Sequence, residues 1–176
     1  TYEHTLPEKL TLCCGRQNRG VAILGETLFL GTLDAKLIAL DAKTGTVQWE
    51  ARSADPATGY SKTAAPLVVG DKVISGIAGG EYGIRGFLDA YDAHTGERVW
   101  RFYTIPGEGE PHNDTWEDDS WKTGGAPTWI TGAYDPDLNL VYWGTGNPGP
   151  DWNGEAREGD NLYSDSVIAL DADTGE

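Results

Sequence analysis

The residues with the most chemical potential are Cys13 and Cys14, the only two cysteines in 176 residues and immediate neighbours. A disulfide ordinarily wants its Cα atoms ~4.4–6.8 Å apart, whereas adjacent residues across a trans peptide sit ~3.8 Å apart. A bridge here would close a tight ring and contribute almost nothing by loop closure, because the loop is nearly nil. Stapling is therefore a poor explanation for the pair. It is either two ordinary buried thiols or a small, stiff, polarizable sulfur surface suited to a flat aromatic partner. Two stretches further along differ in character from the rest of the chain. Residues 104–123 are acidic and aromatic, with Trp116, Glu117, Asp118, Asp119 and Trp121, and residues 147–163 hold Asn147, Pro148, Trp152 and a mixed charge run.

What must position these residues is legible as a repeat. Ile38-Ala39-Leu40-Asp41-Ala42-Lys43-Thr44-Gly45, ending on Trp49, recurs as Leu88 to Trp100 and again as Val167 to Glu176. An apolar strand ends at Asp, whose carboxylate bonds local N–H groups. Gly takes φ > 0, and a second strand carries Trp. A shared turn grammar this long points to repeated units. Upstream of each lie further strands: Val21–Leu24 and Thr27–Gly31, then Ala65–Val69 and Lys72–Gly76, then Ala126–Trp129 and Leu138–Gly144, the last pair joined by a turn at Tyr134–Asp137. Four antiparallel strands per unit is a β-propeller blade. The expected fold is all-β, about three four-stranded blades, fewer than the ~4–8 that close a ring. No helix-period run is evident. The uneven spacing of the repeats puts insertions of different length on one rim, where function is usually built.

The chain carries 28 acidic against 13 basic residues, a formal charge of −15. That argues against nucleic acid and anionic membranes as partners and suits a basic protein partner. No run approaches the ~20 apolar residues of a membrane span. With no Met and a third repeat that stops at Glu176, the chain reads as an internal piece of a longer protein.

Cys13-Cys14 followed by Asn18-Arg19-Gly20, then Gly79-Gly80-Glu81-Tyr82-Gly83, Gly124-Gly125-Ala126-Pro127-Thr128-Trp129 and Gly144-Thr145-Gly146-Asn147-Pro148 together resemble the alcohol dehydrogenase family that uses pyrroloquinoline quinone (PQQ). The Trp-bearing repeats resemble its propeller docking motif. The resemblance implies that residues 1–176 are a portion of one eight-bladed, PQQ-binding, periplasmic propeller domain. It implies that Cys13 and Cys14 form a vicinal disulfide over one face of the quinone and that Trp129 lies on the other. Arg19 and Thr63 would bond the cofactor's carboxylates and carbonyls, with Ala78, Gly79 and Gly80 alongside. Glu81 and Asn147 would ligate Ca²⁺ or a lanthanide. Taken alone, Trp129 reads more readily as a core indole and Asn147 as a turn residue before Pro, while Arg19 reads equally as a surface cation and Glu81 has a second reading as a solvated loop acid. Glu and Asn oxygens are the hard donors Ca²⁺ prefers, and the bound ion would polarise the quinone carbonyl.

The chain departs from the family where many relatives place Ser, at Ala78, and where some place Thr, at Pro127. Each change removes a hydroxyl. The resemblance puts the catalytic Asp downstream of Glu176, so no catalytic residue is expected within the chain. The implied reaction is oxidation of a primary alcohol by hydride transfer to the quinone, with electrons leaving to a cytochrome c. Two other readings stand beside it: a non-catalytic propeller scaffold of the outer-membrane-assembly type, and a PQQ enzyme acting on sugars or aldehydes.

Overall fold

The computed structural model describes residues 1–176 and contains only β-strands and short 3₁₀ turns. Strands β1 (Ala22–Leu24), β2 (Thr27–Gly31), β3 (Lys36–Asp41) and β4 (Val47–Arg52) form one antiparallel sheet in sequence order. Strands β5 (Leu67–Val69), β6 (Lys72–Gly76), β7 (Phe87–Asp92) and β8 (Arg98–Tyr103) form the second in the same order. Strands β9 (Ala133–Asp135), β10 (Leu140–Gly144) and β11 (Val167–Asp171) form a third, three-stranded sheet. These are two blades and most of a third, as the repeat predicts.

The Asp-x-x-Thr-Gly corner does what its chemistry requires. Asp41 Oδ1 accepts from the N–H groups of Lys43 and Thr44, Asp92 Oδ1 from His94 and Thr95, and Asp171 Oδ1 from Asp173 and Thr174. Those bonds hold the carboxyls of Asp41 and Asp92 below the usual carboxylate range, the N–H of Thr44 and of Thr95 being the largest cause in each. The closing glycine has a second duty. Trp49 of the first sheet donates its indole N–H to Ala93 O of the second at 3.0 Å, and a Cβ on Gly96 would lie 2.6 Å from its ring. Trp100 repeats this one blade on, bonding Ala172 O at 3.2 Å with Gly175 beneath its ring. Each blade is thus latched to the next by an indole resting on a glycine corner.

Between the sheets the core is apolar. Phe29, Leu37 and Ala39 meet Val73, Tyr91 and Ala93, while Ile74, Leu88 and Trp100 meet Val141, Trp143 and Leu170. A polar group is sealed between the first two blades. Asp89 accepts two bonds from Arg101 and one from Tyr91, and the fully buried Lys62 donates to Ser75 Oγ and Gly76 O. Burial pushes the Lys62 ammonium down to about 8, against the opposing pull of Asp89.

The third unit corrects one expectation. Ala126–Trp129 is not its first strand; that strand is Ala133–Asp135, so Tyr134 and Asp135 lie in a strand and not in the turn. The reason is local. Pro127 has no N–H to give a ladder, and Ala126 takes φ +48°. The remaining backbone bonds run crosswise: Ala126 N–H to Asn147 O, Thr128 N–H to Ile77 O, and Gly146 N–H to Pro127 O. The segment is a connector stitched across two blades.

Candidate quinone and metal site

The site is assembled from four segments. The first, residues 12–20, has no strand pairing and is pinned by its side chains. Asn18 Nδ2 donates to Gly31 O at the end of β2, Asn18 Oδ1 accepts from Gly20 N–H, and Arg19 N–H bonds Thr63 O at 3.0 Å. These contacts explain Asn-Arg-Gly as a unit and hold the loop in which Cys13 and Cys14 are disulfide-bonded. Gln17 ties the loop together: its amide donates to Cys14 O, and its oxygen accepts from the Arg19 guanidinium, both at 2.9 Å.

The second segment runs through residues 61–63, alternating in period 2. Ser61 and Thr63 line the cavity, while Lys62 points into the protein. The third is the Gly79-Gly80-Glu81 turn. Gly79 has φ +118°, and a Cβ there would collide with Gly59 O; a Cβ on Gly80 would lie 2.9 Å from the Pro127 ring. Two glycines are needed because the turn is pressed between Gly59 and Pro127, and the squeeze presents Glu81. The fourth is the crosswise connector. Thr128 Oγ1 donates to Phe87 O at 2.6 Å and accepts from Ile77 N–H at 2.8 Å. So anchored, the next residue, Trp129, stands 38% exposed.

Cys13, Cys14, Arg19, Thr63, Ala78, Gly79, Glu81 and Trp129 all border one cavity of about 290 Å³, near the lower bound of ligand pockets. The Arg19 guanidinium lies 5.0 Å from the centre of the Trp129 ring. A Glu81 carboxylate oxygen and both sulfurs fall within 4.8 Å of one another. Bridged sulfurs are not thiolates and are poor ligands, so the Glu81 carboxylate is the one hard oxygen donor of that group.

Two of the expected residues stand off the cavity wall. Gly80 is buried behind it against Pro127. Asn147 does not line the cavity, but its main chain is bonded to Ala126, and the following Gly149 packs on Gly80 O. Its loop therefore abuts the Glu81 turn. Asp151 accepts the Asn147 amide N–H at 2.7 Å, which leaves the amide oxygen without a protein partner. Sequence reasoning missed Gln17, Ser61 and Asp151. Alternation with Thr63 was the signal available for Ser61; no sequence signal marks the other two.

The donor set fits the quinone: two sulfurs and an indole to cover a flat ring, a guanidinium for carboxylates, and a carboxylate with an amide oxygen for a hard cation. Residues 15–176 match the PQQ family described as glucose/ethanol/alcohol dehydrogenase, beta-propeller domain. The chain is similar to quinoprotein alcohol dehydrogenase PedH of Pseudomonas putida, at 46% identity over 99% of this chain and 32% of the relative. It is 44% identical to methanol dehydrogenase (cytochrome c) subunit 1 of Methylorubrum extorquens, over 93% of this chain and 30% of the relative. Among solved structures, a europium-containing methanol dehydrogenase superposes with TM-score 0.87 at 42% identity, covering 91% of this chain and 31% of that one. The chain thus spans about a third of the length of these relatives. A disulfide pair, a guanidinium, a carboxylate and an indole share one cavity, and the family match covers nearly every residue; this chain belongs to the PQQ-dependent alcohol dehydrogenase family.

Proposed function

We propose that residues 1–176 form part of one quinone-binding propeller domain of a dehydrogenase that oxidises a primary alcohol. The observation that carries this reading is the meeting of Cys13-Cys14, Glu81 and Trp129 on one cavity. When bound, PQQ supplies an electrophilic carbonyl able to accept a hydride from an alcohol carbon. The chain's residues hold and polarise it. Cys13-Cys14 and Trp129 would cover the ring, Arg19 and Thr63 would meet its acidic and carbonyl oxygens, and Glu81 with Asn147 Oδ1 would hold a Ca²⁺ or lanthanide ion. Excluding water around the ring strengthens each of these interactions. The europium-containing structure and the cytochrome c in the Methylorubrum relative's name support the choice of ion and acceptor. An acidic chain of −15 would steer a basic cytochrome, with an association rate that falls with salt. The vicinal disulfide fits an oxidising compartment such as the periplasm. No helix is long and apolar enough to cross a membrane.

The test is titration of the full-length apoprotein with PQQ and Ca²⁺ or a lanthanide. Tryptophan fluorescence and alcohol-dependent dye reduction are read together. Saturable quenching with gain of activity is expected; absence of both overturns the reading.

A further inference from the structure

One hydroxyl on the cavity wall has no role so far. Ser61 donates its N–H to Ala78 O at 3.1 Å and accepts from Ala78 N–H at 2.8 Å, an isolated antiparallel bridge. That pairing consumes both main-chain groups of Ser61 and puts the two side chains on the same face, with Cα atoms ~5.5 Å apart. Both residues line the cavity, where Ala78 offers only a methyl group. Ser61 is 5% exposed, yet its Oγ makes no hydrogen bond within the protein. It is also not one of the two sealed orphan polar atoms, Ser120 Oγ and Arg157 Nε. Its neighbours are engaged: Gln17 with Cys14 O, Arg19 with Gln17, and Thr63 Oγ1 with Trp129 O. A nearly buried hydroxyl without a partner is costly unless something in the cavity supplies one.

We propose that Ser61 is a cofactor-binding residue that donates its hydroxyl hydrogen to a carboxylate or carbonyl oxygen of the bound quinone, providing on this wall the hydrogen bond that Ala78 cannot. The inference rests on the quinone reading of the cavity. A hydroxyl donor is the right type, because carboxylate and carbonyl oxygens only accept.

The test uses the full-length apoprotein, with PQQ affinity read by tryptophan quenching and folding checked by circular dichroism. Ser61→Ala is expected to weaken PQQ binding about tenfold, the scale of one hydrogen bond to a charged group. Ser61→Cys, which keeps the shape but donates weakly, should weaken it similarly. Ala78→Ser introduced into the Ser61→Ala protein should recover most of the loss from across the bridge. If the unaltered protein binds PQQ and both Ser61 variants bind it equally tightly, the inference is overturned and the quinone site stands. If the unaltered protein binds no PQQ, the quinone site falls and the inference with it.

Discussion

The latch between blades gives the sharpest stability prediction. Gly96 has φ +75°, and an added Cβ would sit 2.6 Å from Trp49 Cε3 and 2.7 Å from Cδ2. Gly96→Ala therefore carries two penalties. The left-handed backbone costs an L-residue about 1–2 kcal/mol, and forcing a methyl against a docked indole adds about 1–3 kcal/mol. Gly70 separates the two, since it has φ +56° with nothing within 4 Å of a built Cβ. Gly70→Ala should show the backbone cost alone, about 1–2 kcal/mol. The indole contribution should vanish in a Trp49→Ala background, where Gly96→Ala should cost no more than Gly70→Ala. The coupling in that double-mutant cycle is then about 1–3 kcal/mol. Urea midpoints of the full-length protein, compared where m is unchanged, provide the measurement. Equal costs for Gly96→Ala and Gly70→Ala, or a Gly96 cost that survives loss of Trp49, would refute the latch.

Lys62 makes stability depend on pH in an unusual direction. Its folded-state pKa is about 8, against 10.5 ordinarily, so between those values the unfolded chain binds more protons. Stability then rises with pH above 8, by up to about 1.4 kcal/mol per unit, and shows no slope from this group below 8, where both states are protonated. Urea midpoints at pH 7, 8, 9 and 9.5 should rise in the unaltered protein and rise less in Lys62→Met; identical slopes would contradict the assignment. Asp151 holds the Asn147 amide nitrogen at 2.7 Å, so Asp151→Ala should lower Ca²⁺ affinity about tenfold in a calorimetric titration at saturating PQQ, the usual cost of losing a residue that orients a metal ligand. Unchanged affinity would mean that Asn147 is not held for a metal.

Much of this was legible because local chemistry repeats. The Asp, Thr and Gly of each corner state their own turn, and short apolar runs bounded by turn residues place β2, β3, β6, β7, β10 and β11. The connector was misread because Ala126–Trp129 sits where the earlier units have a strand. Only the long-range bonds to Ile77 and Asn147 reveal that it runs across the blades. The glycines of Gly79-Gly80 have a meaning that depends on Gly59 and Pro127, which no single-sequence spacing encodes. Gln17 and Asp151 were invisible for the same reason: each holds a neighbour, Arg19 or Asn147, through a contact that only the folded chain creates. Resemblance named the cavity's charged and aromatic residues, and the fold shows what holds them there.

The most direct test of the whole account is a crystal structure of the full-length protein grown with PQQ and a lanthanide, with the ion located by anomalous scattering. The ring should lie between the Cys13-Cys14 sulfurs and the Trp129 indole, with the ion ~2.3–2.6 Å from a Glu81 oxygen and Asn147 Oδ1. A quinone bound away from that pair, or an ion that leaves both Glu81 and Asn147 uncoordinated, would contradict it.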